Sequence, residues 1–301
     1  MTTTALVVGS LVMDLTFRVP RRPDAGELVV ATEHAAFRGG KGYNQAIALA
    51  RLQAQVAMVG AVGTDAYGTG FLEALASEGV DAGRVVRMRG TPTGLAVPLI
   101  TPDGSVSFVQ YPGANRYLAP AHCAELPDCD VLMLQGEVSP ATSQSAARVI
   151  AGRGGIVLLR PAPVGEIEPA LLDTATVLVG NEAELVTLLG RQATGEALAA
   201  ALATPERGVV VTLGAAGAAW AEPSGETGYT PAPRVTAVDS TASGASFDAA
   251  LAVALAEDAS YREATHIACA AGAQAATVRG AEPSLPTREQ VAALLAAAGG
   301  K

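Results

Sequence analysis

Short apolar runs alternate with helix-like stretches from about residue 130 onward. The runs "DVLMLQGE", "GGIVLLRPAP", "ATVLVGNEAE" and "RGVVVTLGAAG" each end in glycine, proline or a polar residue, and stretches such as "SPATSQSAARVIAGR" and "EALAAALATPER" lie between them. This alternation predicts βαβ units and a parallel sheet. Ligands bind beyond the carboxyl ends of such strands, so we expect the polar residues there to converge on one crevice. These residues are Glu137, Arg160, Asn181 with Glu184, and Gly214.

The first part of the chain shows a different pattern. The run "TALVVGSLVMDLTF" is continuously apolar up to Gly9 and Ser10, which predicts a buried strand that reaches a polar turn, with Asp14 beyond it. The segments "GELVVATEHAAF" and "GLAVPLITPDGSVSFVQYP" alternate and contain turn residues, which predicts antiparallel strands in a small separate sheet. With no fixed-period repeat and no long linker, we expect a single α/β domain over residues 1–301, with a small β-rich appendage from about residues 12–38 and 93–112.

Composition and charge narrow the range of partners. Half of the 301 residues are hydrophobic and 16 % are charged, which is typical of an ordered globular chain. The net charge is −9 and no run is rich in lysine or arginine, so neither nucleic acid nor an anionic membrane is an expected partner. The N-terminus lacks the features of a signal peptide and no apolar run reaches spanning length, so we expect a soluble cytoplasmic protein. Three scattered cysteines (Cys123, Cys129 and Cys269) indicate free thiols in a reducing compartment.

One glycine-rich turn stands in "FRGGKGYNQAIALARL". Gly39, Gly40 and Gly42 would let the backbone approach a ligand closely, and Lys41 and Asn44 could bind hydroxyls or phosphate. The spacing is neither GxxxxGK[ST] nor GxGxxG, so a P-loop and a dinucleotide-binding dehydrogenase are both disfavoured. An ordinary turn leading into a helix is the alternative.

A second such turn stands in "VDSTASGASFDAALAVAL", after the strand-like "RVTAV". Apolar residues recur every four positions there, which predicts a helix that begins near Ala245 or Ser246. The free N–H groups and the dipole of that helix would attract an anion. Alternatively, Ser240, Thr241 and Ser243 are ordinary helix caps.

Ten segments taken in order identify the chain as similar to the ribokinase-like (PfkB) family of sugar and nucleoside kinases. They are "GSLVMD", "GGKGYNQA", "GAVGTDAYG", "TGLAVPLI", "PGAN", "RPAP", "GNEAELVTLLG", "VTLGAAG", "VDSTASGASF" and "RGAEPSLP". The resemblance implies a central, mostly parallel sheet flanked by helices, with a small β-sheet lid that often also forms a dimer interface. It also implies ATP-dependent phosphoryl transfer to a substrate hydroxyl, with Mg²⁺ and, in some members, K⁺.

The resemblance assigns roles to individual residues. The expected contacts to the sugar or nucleoside are Asp14, Gly40, Lys41, Asn44 and Glu137. The expected nucleotide-binding residues are Asn181, Glu184, Thr212, Gly214 and Gly217. Glu184 would organise Mg²⁺ through water, and Asp239 would lie beside a monovalent-cation site.

The chain departs from the family pattern where phosphate is transferred. The family's anion hole reads G/A-A-G-D, and its aspartate acts as the base; here the residues are Ala242, Ser243, Gly244 and Ala245. The backbone of the anion hole is kept, but a methyl group accepts no proton. Arg160 stands where asparagine or aspartate is usual, and so adds a fixed positive charge near the phosphates.

Two further residues bear on activity. Val12 stands where ribokinases carry an asparagine that grips the sugar, which disfavours ribose itself. Asp248 lies about one helical turn after Ala245, and we expect it to be a solvated or helix-capping carboxylate rather than a substitute base. Three hypotheses follow: a slow kinase, a pseudokinase that binds nucleotide or sugar as a sensor or partner, or an engineered Asp→Ala knockout. The other departures argue against a single-site knockout.

Overall fold

The computed structural model of the protein describes residues 2–299, which form two β-sheets. The strands are β1 (Thr4–Val8), β2 (Val12–Arg18), β3 (Glu33–Gly39), β4 (Gln55–Gly63), β5 (Asp81–Met88), β6 (Gly94–Ile100), β7 (Val106–Tyr111), β8 (Val131–Gln135), β9 (Ile156–Arg160), β10 (Val177–Asn181), β11 (Gly208–Thr212), β12 (Gly217–Ala221) and β13 (Thr227–Pro231). The larger sheet has nine strands in the order β13-β12-β11-β10-β9-β8-β1-β4-β5. Its pairings are parallel except for β11–β12 and β12–β13. The predicted mostly parallel sheet is confirmed.

Helices cover both faces of this sheet. They are α1 (Lys41–Arg51), α2 (Ala66–Ser77), α3 (Pro140–Ala151), α4 (Pro169–Thr174), α5 (Glu182–Leu189), α6 (Gly195–Leu202), α7 (Ser243–Ala256), α8 (Tyr261–Ala275), α9 (Ala281–Ser284) and α10 (Arg288–Gly299). One buried core joins the sheet to α1, α2, α7, α8 and α10, and a second joins its other face to α3, α4, α5 and α6. Burial on both faces explains why the strands read as continuous apolar runs. Within residues 2–299, no helix is long and apolar enough to cross a membrane.

The second sheet has four strands in the order β3-β2-β6-β7. The β2–β3 and β6–β7 pairs are antiparallel, as expected, but β2 and β6 are parallel, because the chain passes through β4 and β5 of the larger sheet between them. The apolar alternation over residues 26–32 forms no strand. Leu28 and Val30 are exposed there, because β2 ends at Arg18 and offers no further backbone to pair with.

Helix α7 begins earlier than predicted, at Ser243 rather than near Ala245 or Ser246. Ala242 takes a left-handed conformation with φ 61°, and its carbonyl accepts the first helical hydrogen bond, 2.9 Å from the Ser246 nitrogen. Ala242 therefore ends the preceding loop, and Gly244 and Ala245 fall in the first turn of the helix. Their N–H groups find no backbone acceptor within residues 2–299.

Candidate active site

The carboxyl ends of the parallel strands bring the predicted polar residues to one edge of the sheet. Gln135 lies opposite Arg160 across the β8–β9 pair, and Asn181 lies opposite Thr212 across the β10–β11 pair. This edge is also where the chain leaves β1 and, after Gly9, Ser10 and Leu11, enters β2 of the smaller sheet.

The glycines of the first turn let α1 begin directly against the β1–β2 connection. A side chain at position 42 would place its Cβ 2.6 Å from the Gly9 carbonyl carbon, and one at position 40 would meet the Ser10 carbonyl oxygen at 2.9 Å. Gly40 also has φ 91°, which other residues rarely adopt. The Tyr43 nitrogen donates to the Ser10 carbonyl oxygen at 2.9 Å. The turn thus leads into a helix and also brings Lys41 to the crevice.

A charged cluster forms on the side expected to hold the sugar. Glu137 accepts hydrogen bonds from the Lys41 backbone nitrogen at 2.9 Å, from Lys41 Nζ at 2.8 Å and from the Ser10 hydroxyl. The amide oxygen of Asn44 is buried and has no hydrogen-bond partner within residues 2–299. A buried acceptor without a donor is costly, so this oxygen suits a ligand hydroxyl.

Asp14 has an unusual acid–base environment. Burial, reinforced by the charge of Glu137 and opposed by Lys41, raises the pKa of Asp14 from 3.8 to about 7. Its carboxylate lies against Gly39, where any larger side chain would collide with it.

A cleft of about 550 Å³ lies between the four-stranded sheet and two segments, the loop at residues 238–241 and residues 279–281, where α9 begins. It has Asp14 on one wall and Asp239 on the other, so residues expected to bind sugar and cation border the same space. Thr16, His34 and Arg279 also line it, and sequence reasoning missed them. Alternation along β2 could have found Thr16, because it lies on the same face of that strand as Asp14.

Asn181 and Glu184 form a capping box at the start of α5. The Asn181 side chain accepts from the Glu184 nitrogen at 2.8 Å, and Glu184 Oε2 accepts from the Asn181 nitrogen at 2.9 Å. The turn after β11 places Gly214 at φ 60° and Gly217 at φ 121°, both of which favour glycine. The Thr212 hydroxyl donates to the Gly180 carbonyl oxygen at 3.3 Å.

Asp239 is held by its own loop and by the segment before α9. One carboxylate oxygen accepts from the Thr241 nitrogen at 2.9 Å and from the Thr241 hydroxyl at 2.6 Å, and the other accepts from the Gly280 nitrogen at 2.9 Å. Burial alone would raise the pKa of Asp239, but these hydrogen bonds and nearby Arg279 lower it overall. These contacts fix the carboxylate beside the cleft, where the resemblance implies a monovalent cation.

Asp248 departs most from the sequence prediction. The expectation of a solvated or capping carboxylate is wrong, because Asp248 is 0 % exposed and lies on α7 among residues buried on every side. Its Oδ1 accepts from Arg160 Nη1 at 2.8 Å and its Oδ2 from Gln45 Nε2 at 3.1 Å. A buried carboxylate that is paired in this way cannot reach a substrate hydroxyl, so it offers no replacement for the base missing at Ala245.

Arg160 joins this carboxylate to Glu184. Its Nη2 donates to Glu184 Oε2 at 3.2 Å, and its side chain is only 11 % exposed. Burial would lower the pKa of Arg160, but the charges of Asp248 and Glu184 raise it, so the guanidinium stays protonated.

These contacts leave one oxygen of Glu184 for a role toward Mg²⁺. Its Oε2 already accepts from the Arg160 guanidinium and from the Asn181 nitrogen. Oε1 accepts no hydrogen bond within residues 2–299, so Glu184 could still act on Mg²⁺ through water from this oxygen. Within the part of the chain that the structure describes, no group of three or more His, Cys, Asp or Glu side chains could hold a metal ion.

The sheet, the glycine turns and the helix that begins at the crevice together define an α/β protein of the small-molecule kinase class. Residues 2–288 match the family model described as "pfkB family carbohydrate kinase". The chain belongs to this family.

Its relatives include the ribokinase of Bacillus subtilis, which is 35 % identical over 96 % of this chain and 98 % of the relative. The deoxyribokinase of Salmonella typhi is 31 % identical over 94 % of this chain and 96 % of that protein. A solved structure, that of Arabidopsis thaliana ribokinase complexed with ribose and ATP, superimposes on this chain with a TM-score of 0.87. The match covers 98 % of this chain and 99 % of that chain, and the two sequences are 32 % identical.

Proposed function

We propose that this protein binds ATP and a sugar or nucleoside at adjoining parts of the crevice and transfers phosphate slowly to a substrate hydroxyl. One observation carries the proposal. The N–H groups of Gly244 and Ala245 in the first turn of α7 have no backbone acceptor within residues 2–299, while Ala245 supplies no base and Asp248 is held away by Arg160. Phosphoryl transfer depends mainly on positioning and electrostatics, so a low rate survives the loss of a base that typically contributes about 10²–10⁴-fold.

In this proposal, Asp14, Gly40, Lys41, Asn44 and Glu137 surround the sugar. The Asp14 carboxylate and the Asn44 amide oxygen, which has no partner within residues 2–299, would accept hydrogen bonds from neighbouring hydroxyls. Val12 is 3 % exposed and supplies no polar atom to this region, which argues against ribose as the preferred substrate. The cleft has room for a nucleoside as well as for a pentose.

The nucleotide would lie along Asn181, Glu184 and the turn that contains Thr212, Gly214 and Gly217. A ribokinase relative binds ATP, which supports ATP as the nucleotide. A monovalent cation such as K⁺ would bind near Asp239, which would act through its charge. Mg²⁺ would enter with the nucleotide, and Glu184 would act on it through water from Oε1, because Oε2 accepts from Arg160.

A homodimer through the four-stranded sheet, which we propose acts as a lid over the cleft, forms part of the same proposal. On the edge strand β7, Val109 and Tyr111 are 67 % and 51 % exposed. They alternate with Val106 and Phe108, which line the cleft, so they lie on the opposite face.

A cytoplasmic location is also proposed, and the free thiols of Cys123, Cys129 and Cys269 support it.

A pseudokinase is the second candidate, and the buried Arg160–Asp248 pair favours it. Such a protein would bind nucleotide or sugar and act as a sensor or partner without turnover. The same pair argues against an engineered knockout, because replacing one aspartate at position 245 would not also introduce a buried arginine on another strand.

Calorimetric titration with ATP and a panel of pentoses, hexoses and nucleosides tests the proposal, followed by an assay for ADP over hours. Slow ADP release that depends on one panel member would support the kinase and name its substrate. Binding of both ligands without ADP above background would leave the pseudokinase. Asp14→Asn is the matched control, since it should weaken sugar binding and leave ATP binding intact. If neither ligand binds, both candidates fail.

A further inference from the structure

Glu282, on α9, accepts hydrogen bonds from two elements that border the crevice. Its Oε2 accepts from Arg38 Nε at 2.7 Å and from the Tyr43 hydroxyl at 2.8 Å, and its Oε1 accepts from Arg38 Nη2 at 3.0 Å. Arg38 belongs to β3 of the four-stranded sheet, and Tyr43 belongs to α1, which packs on the larger sheet. One carboxylate therefore fixes the smaller sheet to the helix that carries Lys41 and Asn44.

This pair is strong for its position. Arg38 binds Glu282 through two parallel N–H donors, a geometry that strengthens an ion pair and fixes its orientation. The Glu282 side chain is only 18 % exposed, so salt and water screen it less than they screen a surface pair. Burial alone would raise the pKa of Glu282, but the hydrogen bonds from Arg38 and Tyr43 lower it overall, so the carboxylate stays charged.

The segment that contains Glu282 also holds the opposite wall of the cleft. The Gly280 nitrogen donates to Asp239 at 2.9 Å, and the Ser284 hydroxyl donates to the Thr241 carbonyl oxygen at 3.2 Å. These bonds join α9 and the residue before it to the loop that contains Asp239. Glu282 thus lies where the wall formed by the four-stranded sheet meets the wall formed by this loop.

The end of β3 surrounds Asp14. Asp14 lies opposite Phe37 across the β2–β3 pair, and its carboxylate lies against Gly39. Phe37 also packs on the opposite wall, since a Cβ at Gly280 would lie 3.0 Å from Phe37 Cε1. Arg38 stands between these two residues of β3, so the carboxylate that holds Arg38 also fixes the surroundings of Asp14.

We propose that Glu282 is a positioning residue for the sugar site, which acts through Arg38 to set the spacing between the two walls of the cleft. Binding sites tolerate displacements of only about 0.5 Å, so loss of this support would weaken the binding of a ligand held by Asp14. The proposed nucleotide residues lie at the ends of β10 and β11 and in the next turn, in the other sheet, so ATP binding would be retained. The proposal rests on sugar or nucleoside binding at the crevice, as proposed above.

Titration calorimetry with D-ribose, D-fructose and uridine, and separately with ATP, tests this proposal. For whichever of the first three binds the wild type most tightly, Glu282→Gln should raise the dissociation constant at least about tenfold. The dissociation constant for ATP should stay within about twofold of the wild-type value. Glutamine keeps the size of the side chain but loses the charge that holds Arg38.

Two further variants make the comparison specific. Arg38→Gln breaks the same pair from the other side, so it should weaken the same ligand to the same extent. The double variant Arg38→Gln/Glu282→Gln should bind that ligand within about twofold of either single variant. Glu257→Gln is the matched control, because it breaks another two-pronged arginine pair, with Arg288 at the far end of α7, and should leave both dissociation constants unchanged.

Circular dichroism checks that each variant is folded. Three results with folded variants would overturn the proposal alone: sugar affinity within about twofold of wild type in Glu282→Gln, an equal loss of ATP affinity, or additive effects of the two substitutions. If both single variants are unfolded, the pair serves stability instead and the proposal is also overturned. If D-ribose, D-fructose and uridine all fail to bind the wild type, the proposed substrate site is wrong as well.

Discussion

The Arg160 guanidinium donates to the Asp248 carboxylate across 2.8 Å, joining the end of β9 to a helix position that is fully buried. Removing one partner of a buried ion pair is far more costly than removing one from a surface pair, because the remaining charge loses its compensation. Arg160 also lies against Gly244, so this buried pair adjoins the turn that contains Ala245.

Asp248→Asn should lower the free energy of unfolding by about 3 kcal/mol, since Glu184 would be the one charged partner left to Arg160 within residues 2–299. Urea denaturation followed by circular dichroism measures this loss. Glu257→Gln, which breaks the partly exposed pair with Arg288, should cost less than about 1 kcal/mol. Equal losses in the two variants would show that the buried pair has no special role in stability.

Ala245→Asp alone should raise ADP release by less than about tenfold, although a general base typically contributes about 10²–10⁴-fold. The reason is that Arg160, which packs against Gly244, would pair with the new carboxylate and lower its basicity. Combining Ala245→Asp with Arg160→Asn should restore a gain of about 10²-fold or more. Ala245→Asn is the control without a base. A gain above about 10²-fold from Ala245→Asp alone would instead indicate a knocked-out kinase.

The raised pKa of Asp14 predicts a pH-dependent stability. Its folded-state pKa of about 7 lies above the ordinary value of 3.8, so the folded protein keeps a proton that the unfolded chain releases. This contribution to stability is fully present below the ordinary value and is lost as pH rises to about 7, beyond which the effect is constant. Asp14→Asn lacks this loss, so its stability relative to wild type should increase from about pH 4 to pH 7 and then level off. Urea denaturation across that range measures the difference, and a constant difference would contradict the assigned pKa.

Ala242→Gly should stabilise the protein by about 1 kcal/mol, because glycine adopts the left-handed conformation of residue 242 without steric cost. Thermal unfolding provides the measurement. Ala200→Gly, at an exposed position of α6, should be destabilising by about 1 kcal/mol. If Ala242→Gly is destabilised as Ala200→Gly is, the conformation of Ala242 carries no strain.

Val109→Glu should shift the protein from dimer to monomer in sedimentation, because it places a charge on the outward face of the edge strand β7. Leu28→Glu changes an equally apolar and more exposed residue that lies outside this strand, so it should leave the oligomeric state unchanged. A wild-type protein that sediments as a monomer would rule out the proposed dimer.

The parallel sheet could be predicted from the sequence because alternating strands and helices leave a local pattern. The parallel pairing of β2 with β6 could not, since it depends on how the intervening chain crosses into the other sheet. The start of α7 was missed for a similar reason, because nothing in an alanine signals a positive φ at position 242.

The burial of Asp248 could have been inferred, because it stands within an almost continuous run of small and apolar residues on α7. Its partner could not, since Arg160 is 88 positions away along the chain. The sequence therefore supplied the residues of the candidate site, while the charge pairing that decides their chemistry depends on the fold.

The buried pair also constrains how the sequence can change. If Arg160 is lost first, Asp248 is left without its charged partner. If Asp248 is lost first, Glu184 is the one charged partner of the guanidinium among residues 2–299. If an aspartate appeared at position 245 first, it would pair with Arg160, which lies against the neighbouring Gly244. Each single substitution that would bring the site closer to the family pattern thus lowers stability or adds little to the rate. We therefore expect natural variants of this chain to keep both Arg160 and Asp248 or to have replaced both.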